Sequence, residues 1–316
     1  MGNKCLYCYN ELETSDPDDF HKSCSLIFFG TEYPPQLEYS LDQMVELAKN
    51  VVERRIAVPG VQPKLSLSLV GSSLAEEENR LTVVGALGGN YILKPPSGNF
   101  PEMPQNEHVT MRIAEAFGIR TVLSSLIRLQ SGELAYITRR VDRTDSNEKI
   151  HMLDMFQILE AFDKYKGSME KVGKAIGTYS NNTLLDKLYF FELTVFSFLT
   201  GNNDMHLKNF SLIKRGKIWT LSPAYDLLNV AVVNPGDDEE LALTLEGKKK
   251  KLKKEHFERL GENLELNRKQ IDSVFRRFIQ NKKLAIAWIR NSFLSKEYQE
   301  KYIALLEERY SVLMVE

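Results

Sequence analysis

The sequence predicts an α+β protein of two lobes, strand-rich then helical, behind a small cysteine-bearing cap. Three observations predict it. Between about 65 and 140, apolar residues alternate with polar ones in short runs, the period of half-buried strands; from 151 onward they recur at helical spacing. All three cysteines lie within the first 24 residues. A chain of 316 residues with 43% apolar content has the length for two units and the material for a sizeable core. The expected boundaries are a cap over 1–35, a strand-rich lobe over 36–145 and a helical lobe over 146–316.

The elements follow in order. Residues 1 to about 32 form a polar unit, and Tyr33-Pro34-Pro35 links it onward. In 41–52, Leu41, Met44, Val45, Leu47, Ala48 and Val51 share one face while Asp42 and Glu46 take the other, which predicts an amphipathic helix. Residues 65–70 alternate as a strand, and 81–84 and 91–93 flank the turn signal Gly88-Gly89-Asn90. Prolines mark 95–105 as loop. Asn106 is placed to cap a helix over 107–117, which Gly118 stops. Residues 121–129 and 133–140 predict a hairpin about Ser131-Gly132. Helices are expected over 153–162 and 183–199. A β insertion follows, 210–213 and 217–221 around Arg215-Gly216, and several helices fill 254–315.

Charge and hydropathy exclude some classes. The 41 basic residues against 43 acidic ones leave a net charge of −2, so bulk charge does not mark a nucleic-acid binder. The most apolar stretch, 184–199, carries Asp186, Lys187 and Glu192 and reads as a buried helix; no membrane span is expected. Residues 1–10 lack the apolar core of a secretion signal, so a cytoplasmic location is expected. An odd number of cysteines in a reducing compartment argues against a disulfide framework. Instead Cys5-x2-Cys8 and His21-x2-Cys24, separated by 12 residues, offer three thiolates and one imidazole, a donor set for tetrahedral Zn²⁺. So short a region has little core of its own, and a structural ion would help it fold. The alternative is three free thiols in a loosely ordered N-terminus. The run KKKKLKK at 248–254 reads as a solvated loop in preference to a DNA contact.

The densest polar cluster, Gly201-Asn202-Asn203-Asp204-Met205-His206-Leu207-Lys208-Asn209, directly follows the most apolar helix. Carboxylate and amide groups are costly there unless partnered. One reading is a capped helix end and a surface turn. The other is a catalytic loop: phosphoryl transfer needs a base that positions the acceptor, and a metal-holding group a few residues on. Asp204 and Asn209 stand five apart, and His206 and Lys208 between them are placed to contact phosphate. Asp226, in Pro223-Ala224-Tyr225-Asp226 after the β insertion, is the kind of carboxylate that holds Mg²⁺. Lys94 ends the apolar strand Tyr91-Ile92-Leu93 and can reach phosphates; Glu107 in the next helix could pair with it. Pro59-Gly60-Val61-Gln62-Pro63-Lys64 offers a one-glycine turn to phosphate, with Lys64 adding a charge.

These pieces, in this order, resemble the HipA family of serine/threonine kinase toxins. The strings that carry the resemblance are GVQPKLSLSL, YILKPP, NEHVTMRIAEAFGI, YITRRVDR, TGNNDMHLKNFSL and LSPAYDLLNV, spread over roughly residues 55 to 300. The resemblance implies a bilobal protein-kinase-like fold, to which the cysteine motif adds a small zinc-ribbon-like cap, and an enzyme that passes the γ-phosphate of Mg-ATP to a host protein to arrest growth. Asp204 would be the catalytic base, and Asn209 and Asp226 the Mg²⁺ ligands. Lys94 would hold the α- and β-phosphates, and Gly60 and Lys64 would belong to the phosphate loop. Arg139, Arg140 and Val141 would form the hinge that meets adenine, and Gln157, His206 and Tyr225 would line the nucleotide pocket. An aminoacyl-tRNA synthetase is the kind of target implied, an antitoxin the kind of partner, and DNA would be met only through the antitoxin complex. Two departures stand out. Only about 55 residues precede the phosphate loop, which is closer to the split HipT type and implies a separate small protein like the missing N-terminal subdomain. The family's autophosphorylated serine has no counterpart in Ile56-Ala57-Val58-Pro59-Gly60, which carries no hydroxyl. Two other readings are a small-molecule or lipid kinase of the same fold and a non-catalytic binding subunit.

Overall fold

The protein is described by a computed structural model over residues 4–53, 64–72, 75–84 and 88–314. It divides into two compact units, one of Met1–His108 with Val122–Glu148, the other of Val109–Thr121 with Lys149–Glu316.

The first unit contains helices α1 (Lys22–Phe29) and α2 (Leu41–Glu53) and strands β1 (Leu65–Ser72), β2 (Ala75–Val84), β3 (Tyr91–Lys94), β4 (Ser124–Arg128) and β5 (Leu134–Arg139). The strands form one antiparallel sheet in the order β2-β1-β3-β5-β4. The period-two pattern sets the register: Leu65 lies opposite Leu93, and Leu93 opposite Ile137, all three buried on one face. The strands either side of Gly88-Gly89-Asn90 are not neighbours, because β1 pairs with both. Gly89 is required there: its φ is 78°, and a Cβ would stand 2.2 Å from the Leu67 carbonyl oxygen. The cysteine-bearing segment packs on this sheet. Phe28 and Phe29 set their rings against Tyr91, the Leu126 N–H reaches the Leu6 carbonyl at 3.4 Å, and Arg128 grips Asp19 with two bonds of 2.7 and 2.9 Å.

Helix α3 (Met103–Ala116) begins four residues earlier than the sequence suggests, and Asn106 is buried inside its first turns instead of capping it. The reason is Pro104. In a helix's first turn a missing N–H costs nothing, so the proline that reads as loop is compatible with a start. The division between the units falls within α3, after His108.

The second unit adds β6 (Met152–Asp154), α4 (Met155–Ile158), α5 (Met169–Tyr179), α6 (Thr183–Leu199), β7 (Ser211–Arg215), β8 (Ile218–Leu221), α7 (Val230–Val233), α8 (Lys254–Asn263), α9 (Arg268–Gln280), α10 (Lys282–Asn291) and α11 (Lys296–Leu313). The helix expected over 153–162 is a strand and one helical turn. Residues 152–154 pair with β7, and Asp154 then caps α4 in a reciprocal box with Gln157. A short apolar run cannot by itself distinguish strand from helix. Helix α6 is the core of this unit, and its charged residues are each matched. Asp186 accepts from Ser180 Oγ at 2.5 Å and Leu221 N at 2.7 Å, Lys187 meets Glu265 at 2.5 Å, and Glu192 meets Arg277 at 2.5 Å. Among the described residues, no helix is long and apolar enough to cross a membrane.

Candidate active site and metal cluster

Helix α6 delivers the polar loop. Gly201 turns the chain at φ 65°, and a Cβ there would stand 2.3 Å from Leu305 Cδ2. Asn202, fully buried, ties the loop together: its N–H reaches the Ser197 carbonyl, its Oδ1 accepts from Asp204 N at 3.3 Å, and its Nδ2 donates to the Asp226 carbonyl at 3.5 Å. A 3-10 turn, Leu207–Asn209, brings Asn209 back so that its Nδ2 donates to the Asp204 carbonyl at 3.0 Å. That bond leaves Asn209 Oδ1 as the oxygen available to a ligand, and oxygen is what a hard cation such as Mg²⁺ prefers. Asp226 has φ 57°, a conformation that carries backbone strain and clusters at functional sites.

Around Asp204 the second unit adds groups that no motif announces. The Tyr165 hydroxyl donates to Asp204 Oδ1 at 2.7 Å, and the Tyr165 ring meets His206 edge to face at 5.1 Å. Burial and the Asp204 charge push the Tyr165 hydroxyl pKa up, so it remains a donor. Burial pushes the His206 imidazole down, which favours its neutral form. Tyr225 is locked by its hydroxyl, which donates to the Lys208 carbonyl at 3.0 Å and meets Ser211 Oγ at 2.5 Å. Lys208 lays its ammonium over the Phe156 ring at 4.7 Å. Gln157 serves the Asp154 cap. Tyr165 lies in the irregular segment between α4 and α5, at no spacing that ties it to Asp204, so only the fold discloses it.

In the first unit Lys94 Nζ pairs with Glu107 Oε1 at 2.5 Å, with only 4% and 1% of the side chains exposed. Nζ also stands 5.2 Å from the Tyr136 ring centroid. An ion pair at this depth is sustained only while both partners are present. Arg139 ends β5, and its N–H bonds the Leu123 carbonyl. Arg140 bonds Asn90 O through its backbone and Asp142 through two guanidinium contacts of 2.8 and 2.9 Å. Val141 follows in a turn. Lys64 precedes β1 and is exposed; Gly60 and the rest of its turn, with the stretch 56–60, lie outside the described residues.

The four donors of the cap come together: Sγ of Cys5, Cys8 and Cys24 and a ring nitrogen of His21 all lie within 4.8 Å of one another. Cys5 and Cys8 flank a tight turn, while His21 and Cys24 sit at the start of α1. His21 Nδ1 is 3.4 Å from Cys8 Sγ and 3.7 Å from Cys24 Sγ. Bonds of about 2.3 Å to sulfur and about 2.0–2.1 Å to nitrogen give a tetrahedron edges of about 3.5–3.8 Å, and the two His21–sulfur distances match that edge. His21 Nε2 lies 3.0 Å from the Glu11 carbonyl, which can only accept. The proton is therefore on Nε2, and Nδ1 presents its lone pair to the cluster.

The lysine run faces acids. Lys249 pairs with Glu239 at 3.0 Å, Lys250 pairs with Asp238, and Leu252 N donates to Glu240 at 2.7 Å.

The family model for the HipA-like C-terminal domain matches residues 56–286. The inferred kinase Y4dM of Sinorhizobium fredii is 31% identical over 269 residues, 79% of this chain and 63% of that protein. The serine/threonine-protein kinase toxin HipA of Shewanella oneidensis is 24% identical over 213 residues, 61% of this chain and 47% of that protein. The chain spans less than two thirds of the length of the curated relatives it matches. In fold, it is similar to the solved structure of Shewanella oneidensis HipA, determined with HipB and operator DNA. The TM-score is 0.66 at 20% identity, covering 85% of this chain and 73% of that one.

Proposed function

This chain belongs to the HipA-like C-terminal domain family, and on that footing we propose that it is an ATP-dependent serine/threonine protein kinase. The observation that carries the reading is the loop after α6, where Asp204 is oriented by Tyr165 and Asn209 is turned by the Asp204 carbonyl. Bound Mg-ATP supplies the γ-phosphoryl group, with the ion neutralising its charge. In the second unit, Asp204 accepts the proton of the incoming hydroxyl, and Asn209 Oδ1 and the Asp226 carboxylate hold the metal. Neutral His206, Tyr225 and Gln157 line the nucleotide side, and Lys208 contacts phosphate. In the first unit, Lys94, paired with Glu107, holds phosphate oxygens. Arg139, Arg140 and Val141 supply hinge backbone to the base, and Gly60 and Lys64 belong to the phosphate loop. The expected domain limits, 1–35, 36–145 and 146–316, remain part of this reading.

The biological setting proposed is a type II toxin–antitoxin system in the cytoplasm. The HipA relative of known structure was solved with HipB and operator DNA, which supports an antitoxin as partner here. A translation protein such as an aminoacyl-tRNA synthetase is the proposed target, and a small subdomain-like protein a second partner. The Cys5, Cys8, His21 and Cys24 cluster is proposed to hold one structural Zn²⁺. DNA contact by the lysine run is not part of the reading, because Lys249 and Lys250 already face Glu239 and Asp238. The test is transfer of labelled phosphate from Mg-ATP into proteins of a cell extract. Labelled protein with the wild type and none with Asp204→Ala is expected. Label confined to small molecules would replace this reading with a small-molecule kinase, and no ATP consumption would replace it with a binding subunit.

A further inference from the structure

A run of buried contacts in the first unit leads from the cysteine cluster to Lys94. Tyr9 directly follows Cys8 and is 1% exposed. Its φ of 67° is in the left-handed region, which a bulky side chain seldom adopts. Two bonds keep it there, Tyr9 N–H to the Cys5 carbonyl and Cys5 N–H to the Asn10 carbonyl, both 2.9 Å. The turn that carries the first two cysteines therefore sets the direction of the tyrosine ring. The Tyr9 hydroxyl lies 2.8 Å from His108 Nδ1, and the rings meet edge to face at 5.2 Å. His108 is wholly buried and directly follows Glu107 in α3. Its ring also stands 6.5 Å from that of Tyr136, the ring over which Lys94 lies. Two routes thus join Tyr9 to Lys94: the backbone step from His108 to Glu107, and the Tyr136 ring.

We propose that Tyr9 is a positioning residue: held by the metal-bearing turn of Cys5 and Cys8, it fixes His108 and, through His108, the geometry of the Lys94–Glu107 pair. This rests on the zinc and nucleotide roles given above. The physical reason lies in the depth of the pair. Two charges buried this far are sustained by good geometry alone, so a small rotation of α3 changes how the Lys94 ammonium is presented. Without an ion, three thiols and an imidazole within 4.8 Å keep only weak contacts such as His21 Nδ1 to Cys8 Sγ at 3.4 Å, and the turn that strains Tyr9 loses its strongest restraint. Metal in the cap then sets how well the first unit grips phosphate, although no cap donor touches Lys94.

The test reads Lys94 directly. The rate at which an amine-acylating reagent modifies Lys94 is followed by mass spectrometry in the full chain, with and without a high-affinity zinc chelator. Zinc content and Mg-ATP affinity are measured on the same samples. In the wild type, chelation is expected to raise the Lys94 rate about tenfold, the scale of one buried hydrogen bond. Tyr9→Phe keeps the ring and removes the hydroxyl. It is expected to retain its zinc, to show the raised rate already, and to respond little to the chelator. Arg128→Ala removes a cap contact remote from His108 and is expected to behave as wild type, which separates positioning from general loosening. A zinc-loaded Tyr9→Phe protein that is acylated at the wild-type rate overturns the proposal, as does a wild type that takes up no zinc or ignores the chelator. Zinc-dependent Lys94 protection in a protein that does not bind Mg-ATP would support the linkage and remove the nucleotide reading. Tight Mg-ATP binding with no dependence on zinc would do the reverse.

Discussion

Asp204 owes its setting to neighbours that differ in kind. Asn202 accepts its N–H, Asn209 donates to its carbonyl, and Tyr165 donates to its carboxylate. The first two lie within the loop, where spacing makes them visible; Tyr165 comes from 39 positions away and carries no such signal. The Lys94–Glu107 contact is intermediate: the strand end and the presence of the next helix are legible, but the start of α3 at Met103 and the meeting of the two side chains at 2.5 Å are not. The Tyr165 bond yields a prediction. Tyr165→Phe removes the donor and leaves the ring against His206. Phosphoryl transfer is expected to slow about tenfold, in keeping with the loss of one charge-assisted hydrogen bond, with Mg-ATP affinity unchanged. Equal losses of rate and affinity, measured by steady-state kinetics and calorimetry, would show that Tyr165 serves the nucleotide instead.

At the scale of elements, the strongly periodic ones are legible. Helix α6 starts and ends where its apolar run does, and the β4–β5 hairpin forms about Ser131-Gly132. What escapes is decided by caps and pairing. Helix α5 is started by Ser168, whose hydroxyl accepts from Lys171 N, and α1 begins directly after His21, inside the cysteine motif. Within α6, Glu192 is a further case of tertiary context. Burial raises its pKa above the ordinary carboxylate value, against the pull of Arg277. A raised carboxyl contributes stability that is fully present below its unfolded pKa and is lost as pH rises through the folded value. Glu192→Gln should therefore remove part of the fall in melting temperature as pH climbs from the ordinary glutamate range through the raised one. Melting curves of both proteins across that window check this; parallel curves would mean that Glu192 does not titrate there.

For the whole molecule, the residues proposed for the chemistry are distributed over two compact units. The first holds Lys94 with Glu107 and the Cys5, Cys8, His21 and Cys24 cluster, and the second holds Asp204, Asn209 and Asp226. The cluster of Cys5, Cys8, His21 and Cys24 was legible because four donors at short spacings have few other reasons to converge. Its line of contact to His108 was not, since Tyr9 and His108 are 99 positions apart. In this mechanism Asp204 acts in the chemical step and not in holding ATP. The rate of phosphoryl transfer at saturating Mg-ATP, measured beside the Mg-ATP dissociation constant for wild type and Asp204→Ala, separates the two roles. A rate lower by about 10²–10⁴-fold is expected, the usual contribution of a general base, with affinity within about twofold. A variant that keeps its rate, or that loses affinity as steeply as rate, would contradict it.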